Sequence, residues 1–363
     1  MGTIDAVELR QVLLPMLEPF RTRAGTQTER PTTIVRVIVD GVEGWGELAA
    51  TPEPTYTTEW AGGAAAVLRE QLVPRLLAGA PLDEVHAPMA RAALESALLD
   101  SALRHKGISL GSHLGVHRDR VTAGVAVGFA PTVGELVATV ERHLAVGYRR
   151  VKVKIRPGWD VEPLRAVRAA VGDTVAVQAD ANGAYDGDDT SDVAALHAVD
   201  DLGLLLIEQP LPPGDLVGSA RLAKELATRI CLDESIGSAD HVRTAAALGA
   251  ASVICLKPAR VGGIDAAVEV HDAAVAAGLD LWCGGMLETG IGRGVLLALA
   301  ALPGCTLAGD LSATGRWYAD DLTPPVFLDA DGMLPVPTES GCGPVPDAAS
   351  LAAVTVAVET LRP

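Results

Sequence analysis

Beyond residue 120 the chain alternates between short apolar segments and longer amphipathic ones. The strand-like segments lie near residues 121–127, 151–155, 175–180, 204–208, 230–233, 252–257, 279–283 and 306–309. Helical periodicity fills the intervals, most clearly at residues 133–146, 161–171, 216–226, 239–248 and 265–277. Glycines stand where helix C-caps are expected, at Gly147, Gly172, Gly249 and Gly278. Eight strand–helix repeats predict a TIM-like (β/α)8-type barrel, in preference to an open doubly wound sheet.

The first 120 residues follow a different pattern, in which strands precede helices. Strands are predicted at residues 7–14 and 33–40, with a further candidate at 44–48, and helices at 58–77 and 82–105. Strands that are grouped before helices are typical of an α+β domain.

The pattern changes again after Trp317, where proline and glycine become frequent and one apolar run remains, at residues 352–361. We therefore predict an α+β domain at residues 1–120, a barrel domain at 121–317, and a tail at 318–363 that packs back on the first domain. A chain of 363 residues is long enough for both domains.

Composition narrows the class of protein. A hydrophobic content of 49% with 21% charged residues suits a globular enzyme, and a net charge of −17 argues against a nucleic-acid or acidic-membrane partner. No apolar run reaches about 18 residues. The first ten residues also lack a signal-peptide core, so we expect a cytoplasmic protein. Reduced, buried thiols are expected at the scattered cysteines, Cys231, Cys255, Cys283, Cys305 and Cys342.

Ionisable residues end five consecutive strand-like segments at intervals of about 25 residues: Lys154, Asp180, Glu208, Asp233 and Lys257. In a parallel barrel these positions converge on the face that carries active sites. Three carboxylates without a neighbouring histidine or cysteine favour Mg²⁺ or Mn²⁺ over zinc. Each carboxylate alone is as easily explained by a helix cap or a surface ion pair. Three in register on consecutive strands favour the metal site.

The lysines suggest a base on either side of that metal. Lys152 and Lys154 alternate along one strand and therefore share a face, here the barrel interior, where a lysine must be paired or have a lowered pKa. A solvated charged face is the usual alternative for such a pair. We interpret Lys154 as a base, and Lys152 as the cation that tunes it or as a ligand for a carboxylate. Lys257 ends a strand four β/α units after Lys154, on the opposite side of the predicted barrel. We interpret it as the second base, and the alternative is a purely structural role.

These parts together predict proton abstraction next to the carboxylate of a small-molecule substrate. Carbon acids of this kind are very weak, so electrostatic stabilisation of the enediolate must supply most of the rate gain. Two opposed bases permit racemisation, and one base with a leaving group permits elimination.

The motifs resemble the enolase superfamily, its muconate lactonizing enzyme subgroup and, within that, the o-succinylbenzoate synthase / N-succinylamino acid racemase family. The similarity covers almost the whole chain. It is carried by V-K-V-K-I-R-P-G-W-D-V-E-P (151–163), Q-A-D-A-N (178–182), L-L-L-I-E-Q-P-L (204–211), I-C-L-D-E-S-I (230–236), K-P-A-R-V-G-G (257–263) and W-C-G-G-M-L-E-T-G (282–290). It implies that the N-terminal domain caps the catalytic barrel and that the enzyme is a homo-oligomer, such as a dimer or an octamer.

The resemblance also implies individual roles. The three carboxylates would bind Mg²⁺, supported by Asn182 and Glu234, and Lys154 and Lys257 would be the acid/base pair. Arg260 matches an arginine of racemase-capable members, with a structural salt bridge as its alternative. At Ala126 relatives often carry a serine, which puts one substrate hydrogen bond in doubt.

A substrate pocket is implied where the two domains meet. The loop at residues 20–27 would close over the substrate. Pocket roles are implied, with plain core packing as the alternative, for Phe20, Tyr56, Gly285, Met286, Leu287 and Trp317.

The leading hypothesis is an o-succinylbenzoate synthase, a Mg²⁺-dependent syn dehydratase of menaquinone biosynthesis that also racemises N-succinyl or other N-acyl amino acids. N-succinylamino acid racemisation as the main activity is an alternative, as are muconate cycloisomerase and dipeptide epimerase. A non-catalytic binding protein on the same fold is the alternative from another class. Retention of both lysines and all three carboxylates argues against it. The sequence does not rank dehydration against racemisation, because both would use one site.

Overall fold

The computed structural model describes residues 2–23 and 25–363, which form thirteen strands and thirteen α-helices in its described part. The strands are β1 (Ile4–Thr22), β2 (Gly25–Val39), β3 (Val42–Leu48), β4 (Arg120–Thr122), β5 (Gly124–Val127), β6 (Arg150–Lys154), β7 (Ala176–Asp180), β8 (Leu206–Glu208), β9 (Ile230–Leu232), β10 (Val253–Leu256), β11 (Asp280–Cys283), β12 (Met333–Pro335) and β13 (Thr355–Leu361). The helices are α1 (Ala61–Val67), α2 (Val73–Leu77), α3 (Pro88–Lys106), α4 (Leu110–His113), α5 (Val133–Val146), α6 (Val161–Val171), α7 (Thr190–Asp200), α8 (Leu216–Glu225), α9 (Ala239–Leu248), α10 (Pro258–Val261), α11 (Ile264–Ala276), α12 (Gly290–Ala300) and α13 (Ala348–Val354).

An antiparallel sheet in the order β13–β1–β2–β3 holds the N-terminal part together. Its long β1–β2 hairpin continues to the pair Thr22↔Gly25, so most of the segment predicted as a loop at residues 20–27 is the hairpin's tip; Ala24 lies outside the described residues. The predicted helix at 58–77 forms as α1 and α2, joined by a π-helical turn at Leu68–Leu72. The last strand, β13, pairs with β1 from Val7↔Leu361 to Val12↔Thr355.

Seven parallel strands run in sequence order from β5 to β11 and curl into a barrel with helices outside. The predicted barrel fold is confirmed, and α5, α6 and α9 begin and end at the predicted residues. The Cα register aligns Lys154 with Asp180 and Asp180 with Glu208. These strand ends therefore stand at one level of the barrel mouth.

The eighth predicted strand, at 306–309, is wrong as a regular strand. Single bridges, Leu281↔Cys305 and Ala123↔Gly309, close the barrel between β11 and β5. The carbonyl of Ala308 accepts a hydrogen bond from Arg150 Nη2 at 2.8 Å, which replaces a strand partner with a side chain. The predicted strand at 121–127 is likewise split into β4, which pairs with β12, and β5.

The barrel interior below the mouth is filled by a small apolar cluster that includes Cys231, Cys255 and Trp282. All five cysteines are free and buried, as expected. The buried helix α12 was not predicted, because its glycines obscure the helical pattern. Among the described residues no helix is both long and apolar enough to cross a bilayer.

Two glycine substitutions should change stability in opposite directions. Gly249 caps α9 at φ +66°, a left-handed conformation, so Gly249→Ala should cost about 1 kcal/mol. Gly134 lies in α5 with open space around its Cα, so Gly134→Ala should add about 0.5 kcal/mol by restricting the unfolded chain. Urea unfolding of both variants provides the measurement. Equal shifts of the same sign would contradict the assigned conformations.

Candidate active site

Three of the predicted site residues meet where β6 and β7 end. The Lys154 ammonium group donates to Asp180 Oδ2 at 2.6 Å and to Asn182 Oδ1 at 2.7 Å. The Asn182 backbone N–H donates in turn to Asp180 Oδ1 at 3.0 Å. Burial works to raise the pKa of Asp180, but Lys152 and Lys154 outweigh it, and the pKa lies below its usual value.

Lys152 lies one pleat deeper, among buried carboxylates. Its Nζ is 3.0 Å from Asp180 Oδ2 and 2.9 Å from Glu208 Oε2, and it also pairs with Asp310. Burial lowers the pKa of Lys152, but these three carboxylates raise it well above its ordinary value. The charge of Lys152 thus offsets the repulsion between three carboxylates that would otherwise be costly to bury together.

A second cation cluster stands on the opposite side, around Asp233. Lys257 Nζ donates to Asp233 Oδ2 at 2.8 Å, and Arg260 pairs with Oδ1. Tyr56, from the N-terminal part, donates to both oxygens at 3.1 Å and accepts from Lys257 at 3.0 Å. Arg260 therefore acts on Lys257 through the shared Asp233 and Tyr56. Burial lowers the pKa of Lys257, yet Asp233 outweighs it and holds that pKa well above its ordinary value.

Two further acids carry raised pKa values, because burial and neighbouring carboxylates outweigh the nearby lysines. Burial and the charge of Asp180 raise the pKa of Glu208 to about 8. Burial and the charge of Asp233 raise the pKa of Glu234 to about 7, although Asn182 donates to Glu234 Oε1 at 2.8 Å. Oε2 of Glu234 is buried without a partner in the described structure.

The donor set fits a hard divalent cation. Oxygens of Glu208 and Asp233 and the Cys255 sulfur lie within 4.8 Å of one another. Burial raises the pKa of Cys255 well above its ordinary value, so this thiol stays protonated and is a poor ligand. Glu208, whose pKa is raised by burial and by the charge of Asp180, would gain most from a nearby cation.

Both parts of the chain line one cavity of about 460 Å³ above these clusters. Its walls include Lys152, Lys154, Asn182, Glu234 and Lys257, while Asp180, Glu208 and Asp233 contact these lysines from behind. Ala126 lines the cavity as well. The residues expected to line a pocket do so, namely Phe20, Tyr56, Gly285, Met286, Leu287 and Trp317.

Three non-glycine residues near the mouth of the cavity have left-handed backbone conformations. Asn182, Gln209 and Leu287 have φ values of +45°, +38° and +65°, although none is glycine. They lie just after β7, β8 and β11, where the chain leaves the barrel wall. Left-handed conformations at non-glycine residues are rare and concentrate at functional sites.

Sequence reasoning missed three residues that organise the site. Asp310 binds Lys152 and Arg150. Gln178 donates to Glu208 Oε2 at 2.6 Å. Gln209 accepts from the Asp233 backbone N–H at 3.0 Å and so fixes that strand end. The signal for Asp310 was present, since it directly follows the eighth apolar segment.

Comparison with known proteins gives concordant matches. The enolase C-terminal domain-like family matches residues 135–350, and the mandelate racemase / muconate lactonizing enzyme N-terminal domain matches residues 5–115. N-succinylamino acid racemase from Amycolatopsis sp is 46% identical over 98% of each chain. The o-succinylbenzoate synthase of Bacillus subtilis (strain 168) is 38% identical over 94% of this chain and 93% of its own. An enolase superfamily member from Listeria innocua Clip11262 superimposes with a TM-score of 0.93 at 35% identity, over 100% of both chains.

Asp310 offers a direct test of the buried charge network. In Asp310→Asn the cations Lys152 and Arg150 lose one carboxylate, which should cost about 3 kcal/mol because buried charge is left uncompensated. Urea unfolding measures this loss. The matched control is Asp240→Asn, which removes an exposed ion pair with Arg243 and should leave the urea midpoint unchanged. Equal effects of the two variants would contradict the assigned role.

Proposed function

This chain belongs to the enolase superfamily, in the family of o-succinylbenzoate synthases and N-succinylamino acid racemases, and from that premise we propose that it is a Mg²⁺-dependent o-succinylbenzoate synthase that also racemises N-succinylamino acids. Enzymes of this superfamily use a divalent metal ion. The single observation that carries the proposal is the pair of buried lysines, Lys154 and Lys257, on opposite sides of one acid-lined cavity.

Asp180, Glu208 and Asp233 would hold the Mg²⁺ ion, with Asn182 and Glu234 supporting them. When bound, Mg²⁺ stabilises the negative charge that develops on a substrate carboxylate as the adjacent carbon loses its proton. The hydrogen bonds from Gln178 and from the Asn182 backbone keep two of these carboxylates oriented.

In the dehydration, Lys154 takes the α-proton of the cyclohexadiene substrate as its C–H bond breaks. The same ammonium group then gives that proton to the departing hydroxyl, so water leaves from the face that lost the proton. Lys257 stays protonated and stabilises the enediolate, a role that suits the raised pKa given to it by Asp233.

In the racemisation, the lysines exchange roles. One removes the α-proton of an N-succinylamino acid, and the other protonates the planar carbon from the opposite side. Arg260 holds Asp233 and Tyr56 against Lys257, and both raise the pKa of Lys257, which favours it as the proton donor. Racemisation as the main activity is the second candidate, favoured by relatives named N-succinylamino acid racemase at 46% and 42% identity.

We also propose that residues 1–120 and 121–317 form separate domains, that the predicted pocket residues contact the substrate, and that the enzyme is a cytoplasmic homo-oligomer. Neither a muconate cycloisomerase nor a dipeptide epimerase is favoured by a specific contact in the cavity.

Two kinetic assays with purified protein test the proposal. One follows the cyclohexadiene precursor of o-succinylbenzoate, and the other follows N-succinyl-phenylalanine by loss of optical activity. We expect turnover of both with Mg²⁺ and none with excess chelator. Absence of both activities under these conditions would overturn the proposal. If the protein catalyses racemisation but not dehydration, it is a racemase.

Mg²⁺ should also bind in the absence of substrate. Binding to the folded state alone adds about 2.7 kcal/mol when Mg²⁺ is at 100 times its dissociation constant, so the thermal midpoint should rise with concentration. Asp233→Asn should abolish this rise, whereas the exposed control Asp240→Asn should retain it. A rise that is unaffected by Asp233→Asn would place the bound ion elsewhere.

The two-base scheme predicts complementary exchange defects. Lys154→Ala and Lys257→Ala should each lose racemisation of N-succinyl-phenylalanine by about 10³-fold or more, since one proton transfer has no partner. In D₂O each variant should still exchange the α-proton of one enantiomer, and the two variants should act on opposite enantiomers. NMR measures the exchange. Full racemisation by Lys257→Ala would refute the scheme.

A further inference from the structure

The cavity wall contains a charged side chain that the lysine chemistry does not use. Arg30 lies on β2, opposite Leu14 of β1, and its side chain is fully buried, with 0% exposure. It lines the same cavity as Lys154 and Lys257, but it comes from the N-terminal part of the chain. A guanidinium group is always charged, so it is stable in such a place only beside an anion or a dense set of acceptors.

Arg30 has only part of that compensation in the described structure. Its Nη1 donates to the carbonyl of Ala50 at 2.9 Å, which fixes the head of the side chain next to the cavity segment at residues 51–56. Nε and Nη2 are buried and have no hydrogen-bond partner. These two atoms form one edge of the guanidinium plane, and their N–H groups point the same way. That edge matches the two oxygens of a carboxylate.

The neighbouring acids are engaged elsewhere. Glu47 accepts from the Thr289 backbone N–H at 3.0 Å, from its hydroxyl at 2.7 Å, and from the Gly292 N–H at 3.0 Å. Glu288 accepts from the Met286 N–H at 2.6 Å. Neither forms an ion pair with Arg30 among the described residues. Burial and the charge of Glu288 raise the pKa of Glu47 to about 7, although the charge of Arg30 works to lower it, so Glu47 acts on Arg30 only through space.

A second buried polar atom on this wall lacks a partner. The side-chain oxygen of Gln27, three residues before Arg30, is buried without a hydrogen bond in the described structure, and Gln27 lines the cavity. The cavity therefore has a polar group of its own at the N-terminal wall, separate from the lysines and acids at the barrel mouth. The Gln27 oxygen is an acceptor and requires a donor from a ligand, whereas the free edge of Arg30 requires an acceptor.

We propose that Arg30 is a specificity-determining residue that binds the second carboxylate of a dicarboxylate substrate, through Nε and Nη2, while the first carboxylate lies at the barrel mouth. The inference rests on the proposed function, whose substrates all carry a succinyl group. It assigns recognition of that group's terminal carboxylate to the N-terminal part, so proton transfer and selection of the acyl chain depend on different parts of the fold.

Binding of matched ligands tests the assignment without turnover. N-succinylglycine carries the second carboxylate and N-acetylglycine lacks it; both are titrated calorimetrically into the full protein with Mg²⁺. Wild type should bind the succinyl compound about 10- to 150-fold more tightly, the range expected for hydrogen bonds between charged groups. Arg30→Met should remove this preference and change the affinity for N-acetylglycine by less than about 3-fold.

Two controls keep the result interpretable. Arg30→Lys retains the charge without the paired donors and should recover only part of the preference. Arg36→Met removes an arginine of the same strand that pairs with Glu8 and Glu43 and does not line the cavity, and it should keep the preference intact. If Arg30→Met fails to fold, Arg30→Lys and the wild-type comparison still decide the matter.

Two results would overturn the inference: equal binding of both ligands by wild type, or equal loss of both in Arg30→Met, which is the signature of a structural role. The outcome is separable from the proposed function. A protein that prefers N-succinylglycine through Arg30 but catalyses neither reaction would refute the activity and keep the subsite. A protein that racemises N-succinyl-phenylalanine with unchanged KM in Arg30→Met would refute the subsite alone.

Discussion

The ammonium group of Lys152 lies among three buried carboxylates, and the arrangement of the barrel mouth depends on that contact. Asp180, Glu208 and Asp310 come from three different positions around the ring, and without the cation their mutual repulsion would resist burial. Burial, and after it the charge of Asp180, still raises the pKa of Glu208 to about 8. An additional positive charge beside these carboxylates is therefore favourable. This suits a site that binds and releases a metal ion and a substrate.

Much of this could be predicted from the sequence, because the relevant signals are local and periodic. An interval of about 25 residues places Lys154, Asp180 and Glu208 at the ends of neighbouring strands, and the sheet register aligns them as that spacing implies. The barrel, its central helices and the cavity-lining positions Phe20 and Trp317 follow from pattern and resemblance. Periodicity carries this information because each strand–helix unit buries its own apolar face in the same way.

The remaining features depend on contacts between distant parts of the chain. The final barrel segment is joined by single bridges and by the Arg150 side chain in place of a strand ladder, a difference that its strand-like sequence does not reveal. The isolation of Arg30 is likewise invisible in the sequence. It arises because Glu47 and Glu288 accept hydrogen bonds from the backbone N–H groups of Met286, Thr289 and Gly292. Tyr56 reaches Asp233 across the boundary between the two parts, which no local pattern records.

The pairing of β13 with β1 has a consequence for biosynthesis. The first sheet lacks an edge strand until residues 355–361 are made, about 300 residues after β3. On the ribosome, β1 therefore waits with open backbone donors and acceptors while the whole barrel is translated, a state in which strands readily recruit wrong neighbours. The open edge of β1 is thus closed only by the last strand of the chain, so correct pairing in this sheet depends on a contact of very high sequence separation.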